Sequence, residues 1–331
     1  MGNFWFSRSK MSHRNWQTSG TVCLFSVVLL VAMAGELSDS VGMASRETTA
    51  IEQVSSLPQP EKSTFSPRQR EILQELAKAD VVYLGEIHTK AADHQAQLAI
   101  VQALQQRNRK VAIAMEMFQL PYQDVLDQYI RGEIDEDQLL EKTEYQQRWG
   151  YDWDDYAPIL RYARKHQLPA IALNVPTETI RRVATGGWSG LTSEDQRWLP
   201  PRSEIHTDHP QYRQRLREIF DGIHAEYNSS GNFEFFYLAQ LLWDETMAAN
   251  IAKYATQHPE YQVVVLAGSG HIANRYGIPN RVARRMQNPD FTHKSVLLSP
   301  PPRDTDASNA NSDIADYIWQ PTSPPNSRKQ S

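Results

Sequence analysis

The sequence predicts an α/β fold, a mainly parallel central sheet flanked by helices and topped by a helical cap subdomain, on three observations. Four short apolar runs, 81–84, 111–115, 170–173 and 263–267, are rich in Val, Ile and Leu without polar alternation, as in strands buried on both faces. Helical patterns separate them: Leu98, Val101 and Leu104 recur at three-residue spacing, and 237–254 is a long helical stretch. Strands that alternate with helices imply a parallel sheet covered on both sides. Finally, 118–168 and 177–236 are long and polar-aromatic, the second with the turn cluster Gly186-Gly187-Trp188-Ser189-Gly190. Both are expected to be mostly helical excursions packed above the sheet.

The flanks read differently. Residues 1–20 carry Arg8, Lys10 and Arg14 and no acid, and the apolar stretch from Val22 to Ala34 ends in the small residues Ala32-Met33-Ala34-Gly35. This predicts a signal peptide over 1–34 and an exported protein, periplasmic or membrane-associated in a bacterium. An uncleaved anchor is the alternative. Residues 35–66 are rich in Ser, Thr, Glu and Pro and read as a solvated linker, because they lack the apolar side chains to offset their ordering entropy. The body spans 67–299, without an internal repeat. The tail 300–331 is similar to the linker except for Asp316-Tyr317-Ile318-Trp319, expected to add a last edge strand.

Composition excludes several classes. The chain has 331 residues, 34 Lys plus Arg against 39 Asp plus Glu, and a single cysteine, Cys23. A disulfide scaffold, a Cys-ligated zinc or iron–sulfur site and covalent haem are therefore out. Loss of 1–34 would remove three cations and no acid, which leaves a net charge of about −8. With no basic stripe to neutralise phosphates, nucleic acid is not a partner. The longest apolar run is too short to span a bilayer.

In open α/β sheets ligands bind beyond the carboxyl ends of the strands. Here the first run leads into Gly85-Glu86-Ile87-His88, the second into Glu116, the third into Asn174 and the last into Gly268-Ser269-Gly270-His271. Two histidines and two carboxylates would converge on one rim, a set able to hold a divalent metal, to serve as general acid and base, or to line a haem pocket.

Each residue also has a plainer explanation. A single Gly-x-x-His after a strand can be a turn with a capping histidine, but this chain has two. Glu116 at the end of an apolar run must be paired or functional, because an unpaired buried carboxylate is costly. Asn174, before Val175-Pro176, reads as a turn residue. Asp93 suits the first turn of a helix, which leaves His94 a supporting candidate. Gln240, Trp243, Asp244 and Met247 share one helix face and read alone as a surface stripe. Gly268, Gly270 and Ala273 also fit a dinucleotide fingerprint, but the next strand ends in Ser rather than a ribose-binding acid. The aromatic stretch with Tyr145, Trp149, Tyr151, Trp153 and Tyr156 reads as packing, although tyrosines over a crevice can ligate iron or stack on a flat ligand.

Taken in order and spacing, these pieces resemble the ChaN-type haem-binding uptake proteins of the Tiki/TraB superfamily, which also includes erythromycin esterases. The resemblance covers 81–319. It rests on Leu84-Gly85-Glu86-Ile87-His88 with Asp93-His94, Glu116-Met117-Phe118, Leu126-Asp127 with Tyr129 and Gly132, and Trp149 with Trp153, Tyr156 and Pro158. It continues in Asn174-Val175-Pro176, Gln240 with Trp243-Asp244 and Met247-Ala248, Gly268-Ser269-Gly270-His271 and the closing Tyr317-Ile318-Trp319. It implies an exported haem- or iron-handling protein that binds haem non-covalently through a tyrosine, with Tyr145, Tyr151 and Tyr156 as candidates. It also implies haem or a small molecule as ligand, the membrane surface or uptake machinery as partner, and is compatible with a homodimer. The more distant relatives imply instead a hydrolase, metal-dependent or metal-free, acting on an ester or peptide. That reading has His88 and Glu116 as catalytic groups and Glu86, His88, Glu116 and His271 as ligands of a divalent metal.

Overall fold

A computed structural model describes residues 65–107, 110–227, 231–299 and 314–320. The expected signal peptide and nearly all of the expected linker and tail lie outside them. Among the described residues no helix is long and apolar enough to cross a membrane.

The body opens with α1 (Pro67–Leu76), whose start is written in three residues. Ser66 accepts from the Gln69 backbone, Gln69 answers through its side chain onto the Ser66 N–H, and Pro67 fills the first turn, where its missing N–H costs nothing. Next come β1 (Val81–Glu86), α2 (Ala91–Gln105), β2 (Lys110–Gln119), α3 (Gln123–Arg131), α4 (Glu136–Lys142), the single turn α5 (Tyr145–Arg148) and α6 (Trp153–His166). The chain continues through β3 (Ala170–Asn174), α7 (Thr177–Gly186), α8 (Pro210–Tyr227), α9 (Phe233–Gln257), β4 (Tyr261–Gly268), the single turn α10 (Ser269–Ile272), α11 (Ile278–Arg285), β5 (His293–Leu297) and β6 (Tyr317–Ile318).

The six strands form one parallel sheet in the order β3-β2-β4-β1-β5-β6. All four expected runs are strands, each longer than its apolar run; β1 and β3 extend through Glu86 and Asn174, which still pair. The closing Tyr317-Ile318 pairs with Val296-Leu297 as the edge strand, and the Trp319 ring meets Phe65 edge-on at 5.9 Å.

Alternate residues serve the two faces. Val82, Leu84, Ile113, Met115, Val264 and Leu266 pack with residues of α1, α2, α3 and α6. Val81, Tyr83, Ala112, Ala114, Val263 and Val265 pack with Met247, Ala248 and Ile251 of α9. The stripe on α9 that reads as surface is therefore core. Gln240 is 6% exposed, and Asp244 and Met247 are fully buried. The local pattern misleads because α9 is apolar nearly all round, so its few polar residues need not mark a solvent face.

Replacing Ser66 by Ala should lower unfolding free energy by about 1 kcal/mol in chemical denaturation, and Ser66→Asp should restore most of it.

Candidate functional site

Because the strands are parallel, their carboxyl ends share one edge, and β1, β4, β2 and β3 are consecutive neighbours along it. Glu86 is opposite Gly268 across the β1–β4 pair. On β2 the register against β3 shifts, with Met115 facing Ala172 but Gln119 facing Asn174. The extra length places Glu116 in an irregular stretch beside the end of β4, where its backbone carbonyl is free to accept from the Asn174 side chain at 3.0 Å.

Glu86, His88, Glu116 and His271 are thus brought to one edge, but as a closed cluster rather than an open cleft: none is more than 4% exposed. Glu86 is saturated. Its Oε1 accepts from the Tyr156 hydroxyl at 2.7 Å and faces His88 Nδ1 at 2.8 Å; its Oε2 accepts from Gln97 at 2.6 Å and faces His94 Nδ1 at 3.3 Å. Burial drives the Glu86 carboxyl upward, but hydrogen bonds from His88 and His94 outweigh it and hold the pKa at about 2. Burial likewise disfavours charge on His94, yet the Glu86 carboxylate raises its pKa to about 9. His94 Nε2 lies 3.1 Å from the His88 carbonyl. The loop between is tied by Asp93, which accepts from the Ile87 N–H and the Ser299 hydroxyl.

The second half is built on Glu116 and Asp244. Glu116 Oε2 accepts from the Gly268 N–H at 2.7 Å, and Oε1 is 3.5 Å from His271 Nε2. On its other side His271 Nδ1 meets Asp244 Oδ1 at 2.7 Å, while Asp244 Oδ2 accepts from the Tyr212 hydroxyl at 2.5 Å. Burial opposes charge on His271, but the two flanking carboxylates raise its pKa to about 10. Glu116 is pulled below its ordinary value against burial, chiefly by His271. Gly268 joins the halves: a Cβ there would lie 2.9 Å from Cε1 and Nε2 of His88, so the residue type is dictated by the approach of that ring.

The sequence-predicted residues are therefore gathered, with changed roles. Asn174 is a cross-link, donating to Glu116 and accepting from Trp243 Nε1 at 2.5 Å. Among the described residues no group of three or more His, Cys, Asp or Glu side chains is arranged to hold a metal ion; the rim acids meet histidines, hydroxyls and amides. The strand-to-helix turn at Gly268-Ser269-Gly270 opens only the single turn α10, with its first amide on Glu116 rather than directed at a phosphate. Sequence reasoning missed Gln97, Tyr212 and Ser299. Ser299 follows β5 and could have been found by the strand-end rule; Tyr212 lies in the cap with no local signal.

The aromatic segment closes over this edge. Trp149 meets the His88 ring edge-on at 4.9 Å, and Tyr151 lies over it at 4.8 Å. Tyr145 and Tyr156 are 3% and 0% exposed, and burial raises the pKa of both phenols, reinforced by the nearby Glu86 charge. Tyr151 alone of the three is partly exposed. Gly150, at φ +77°, makes the turn that presents it.

The model for haem-binding uptake proteins of the Tiki superfamily, ChaN, matches residues 72–282. The chain belongs to the ChaN family. The structure of ChaN of Campylobacter jejuni with cofacially bound haem is 21% identical to this ChaN-family chain at a TM-score of 0.55, covering 75% of this chain and 90% of that one. That likeness shows the shared fold. Protein RETICULATA-RELATED 5, chloroplastic, of Arabidopsis thaliana is 28% identical over 284 residues, 78% of this chain. This ChaN-family chain spans 36% of that relative's length.

The charge pattern fixes a pH profile. The folded pKa of His271, about 10, exceeds its ordinary 6.5, so its stabilisation is complete below pH 6.5 and is lost as pH rises through 10. For Glu86, about 2 against 4.5, the contribution is complete above pH 4.5 and lost as pH falls through 2. Melting temperature should therefore plateau near pH 5–6 and decline steadily toward pH 10, and His271→Asn should flatten the alkaline decline. An alkaline slope unchanged in that variant would contradict the pairing.

Proposed function

We propose that this protein binds haem non-covalently through Tyr151, as an exported protein of haem or iron uptake or handling. The observation that carries the reading is the sorting of the three tyrosines. The Tyr156 hydroxyl is committed to Glu86 and Tyr145 is buried, whereas Tyr151 reaches the surface beside Trp149. Membership of a haem-binding family supports it. A phenolate suits ferric iron, and the partly exposed Tyr151 ring, backed by the buried Trp149, offers an aromatic face to a flat macrocycle. Haem, when bound, would supply a redox-active iron; the chain's part is to position Tyr151, which rests on the His88 ring that Glu86 orients.

A hydrolase on the same edge is the second reading, favoured by one feature: His271 is held between Asp244 and Glu116, and its Nε2 lacks a hydrogen-bond partner. A histidine so placed could move a proton. Its 2% exposure argues against contact with a substrate in this conformation.

Titration with ferric haem should give a tyrosinate charge-transfer band that Tyr151→Phe abolishes and that Tyr145→Phe and Tyr156→Phe retain. Loss in either buried variant, with Tyr151→Phe unaffected, would reverse the assignment. Ester or peptide cleavage removed by His271→Asn, without haem binding at micromolar concentration, would establish the hydrolase instead.

Export is part of the proposal and rests on the residues before Gly35. N-terminal sequencing of protein recovered from its compartment should start near Gly35; a start at Met1 would replace cleavage by anchoring.

A further inference from the structure

A cavity of about 740 Å³ opens on the far side of α9 from Tyr212, between the outer edge of β3, the second half of α9 and residues 197–201. None of the rim residues lines it. One wall is a polar stripe: Thr246, Asn250 and Lys253 are spaced by four and three residues and share a helix face. Thr246 is fully buried, and its hydroxyl has no hydrogen-bond partner. A buried unpaired hydroxyl costs about 1–3 kcal/mol, which a ligand atom in the cavity would recover. Lys253 lines the cavity and is exposed at its mouth. The facing wall is apolar, made by Ile171, Trp198, Leu199 and Pro200.

The occupant is not an added peptide strand. The β3 edge that borders the cavity is already satisfied by the Gln123 amide, which donates to the Ala170 carbonyl at 2.9 Å and accepts from the Ala172 N–H at 2.7 Å. A strand could pair there only by displacing it. Charge selects among small molecules. Asp127, the acid on this cavity, already accepts from Gln123 at 2.8 Å. Beyond Ala249, Lys253 and Gln257 a second cavity of about 540 Å³ adjoins, lined by Glu204 and by Arg284 and Arg285, whose charges are met by Glu245. Lys253, which has no ion-pair partner among the described residues and borders both cavities, favours an anion at the junction, and the larger cavity favours an apolar body.

We propose that this cavity binds an amphiphilic monocarboxylate of the fatty-acid class, its carboxylate on Thr246 and Lys253 and its chain against Ile171, Trp198 and Leu199. The test is displacement of anilinonaphthalene sulfonate from the full chain by laurate, dodecanol and dodecyltrimethylammonium below their micellar concentrations. Laurate should displace the dye, and the neutral and cationic amphiphiles should be at least about tenfold weaker. Thr246→Val, whose lost hydroxyl has no partner in the protein, should weaken laurate about fivefold or more with no loss of melting temperature. Lys253→Glu, on the surface, should do the same, and Ala249→Trp, at the junction, should abolish displacement. None should alter the Tyr151-dependent haem spectrum. No displacement by laurate, equal potency of dodecanol, or laurate affinity unchanged in Thr246→Val and Lys253→Glu would each overturn the proposal.

Discussion

The carboxylate of Glu116 must be charged at 1% exposure, and the groups that make this tolerable organise the whole strand edge. A buried carboxylate without partners would be neutralised or would unfold its surroundings. Glu116 has the Gly268 N–H on one oxygen and His271 beside the other. The first contact requires the end of β4 to lie alongside the irregular part of β2. The second requires the single turn after β4 to bring His271 inward, where Asp244 of α9 receives it. One buried charge thus couples the sheet to the helix behind it.

Across Gly268 the pattern repeats with a different acid. Glu86 collects His88, His94, Gln97 and Tyr156, and three of these come from segments flanking β1 while Tyr156 comes from the cap. The cap is therefore anchored by a hydrogen bond to the edge as well as by ring packing. His88, fixed by Glu86 beneath, is the surface on which Trp149 and Tyr151 rest. In this way a saturated, inaccessible cluster can matter to a ligand at the surface: it determines where the exposed tyrosine stands. Removing Glu86 would leave His94 without its main counter-charge, and removing Glu116 would leave His271 with Asp244 alone, so effects on ligand binding and on stability are expected to be coupled along this edge.

Charge is handled differently elsewhere. Glu245, next to Asp244 but facing away from His271, is fully buried and met by Arg281, Arg284 and Arg285. Arg281 is itself buried and lies over the Tyr212 ring at 5.2 Å. Adjacent acids on α9 thus serve two separate networks, one histidine-based at the strand edge and one arginine-based beside α11. Tyr212 links them, its hydroxyl donating to Asp244 and its ring lying under the Arg281 guanidinium.

The sheet and most of the edge were legible in the chain itself. Apolar runs without alternation identify strands covered on both faces, and the residues that follow them must lie at the carboxyl edge whatever their packing partners. Hence Glu86, His88, Glu116, Asn174 and His271 could be singled out from spacing alone, and Ser299 could have been by the same rule. The tertiary structure decided what they do there. Whether an acid meets a cation, a histidine or a metal depends on which side chains arrive from distant segments, and Tyr212, Gln97 and Tyr156 are brought in by packing that leaves no local periodicity. The same limit applied to α9: a helix apolar nearly all round has no informative face, so its Asp244 could not be placed inside by pattern. Which of three tyrosines reaches the surface was likewise settled by the turn at Gly150 and the position of the cap over the sheet, a matter of geometry between segments rather than of composition within one.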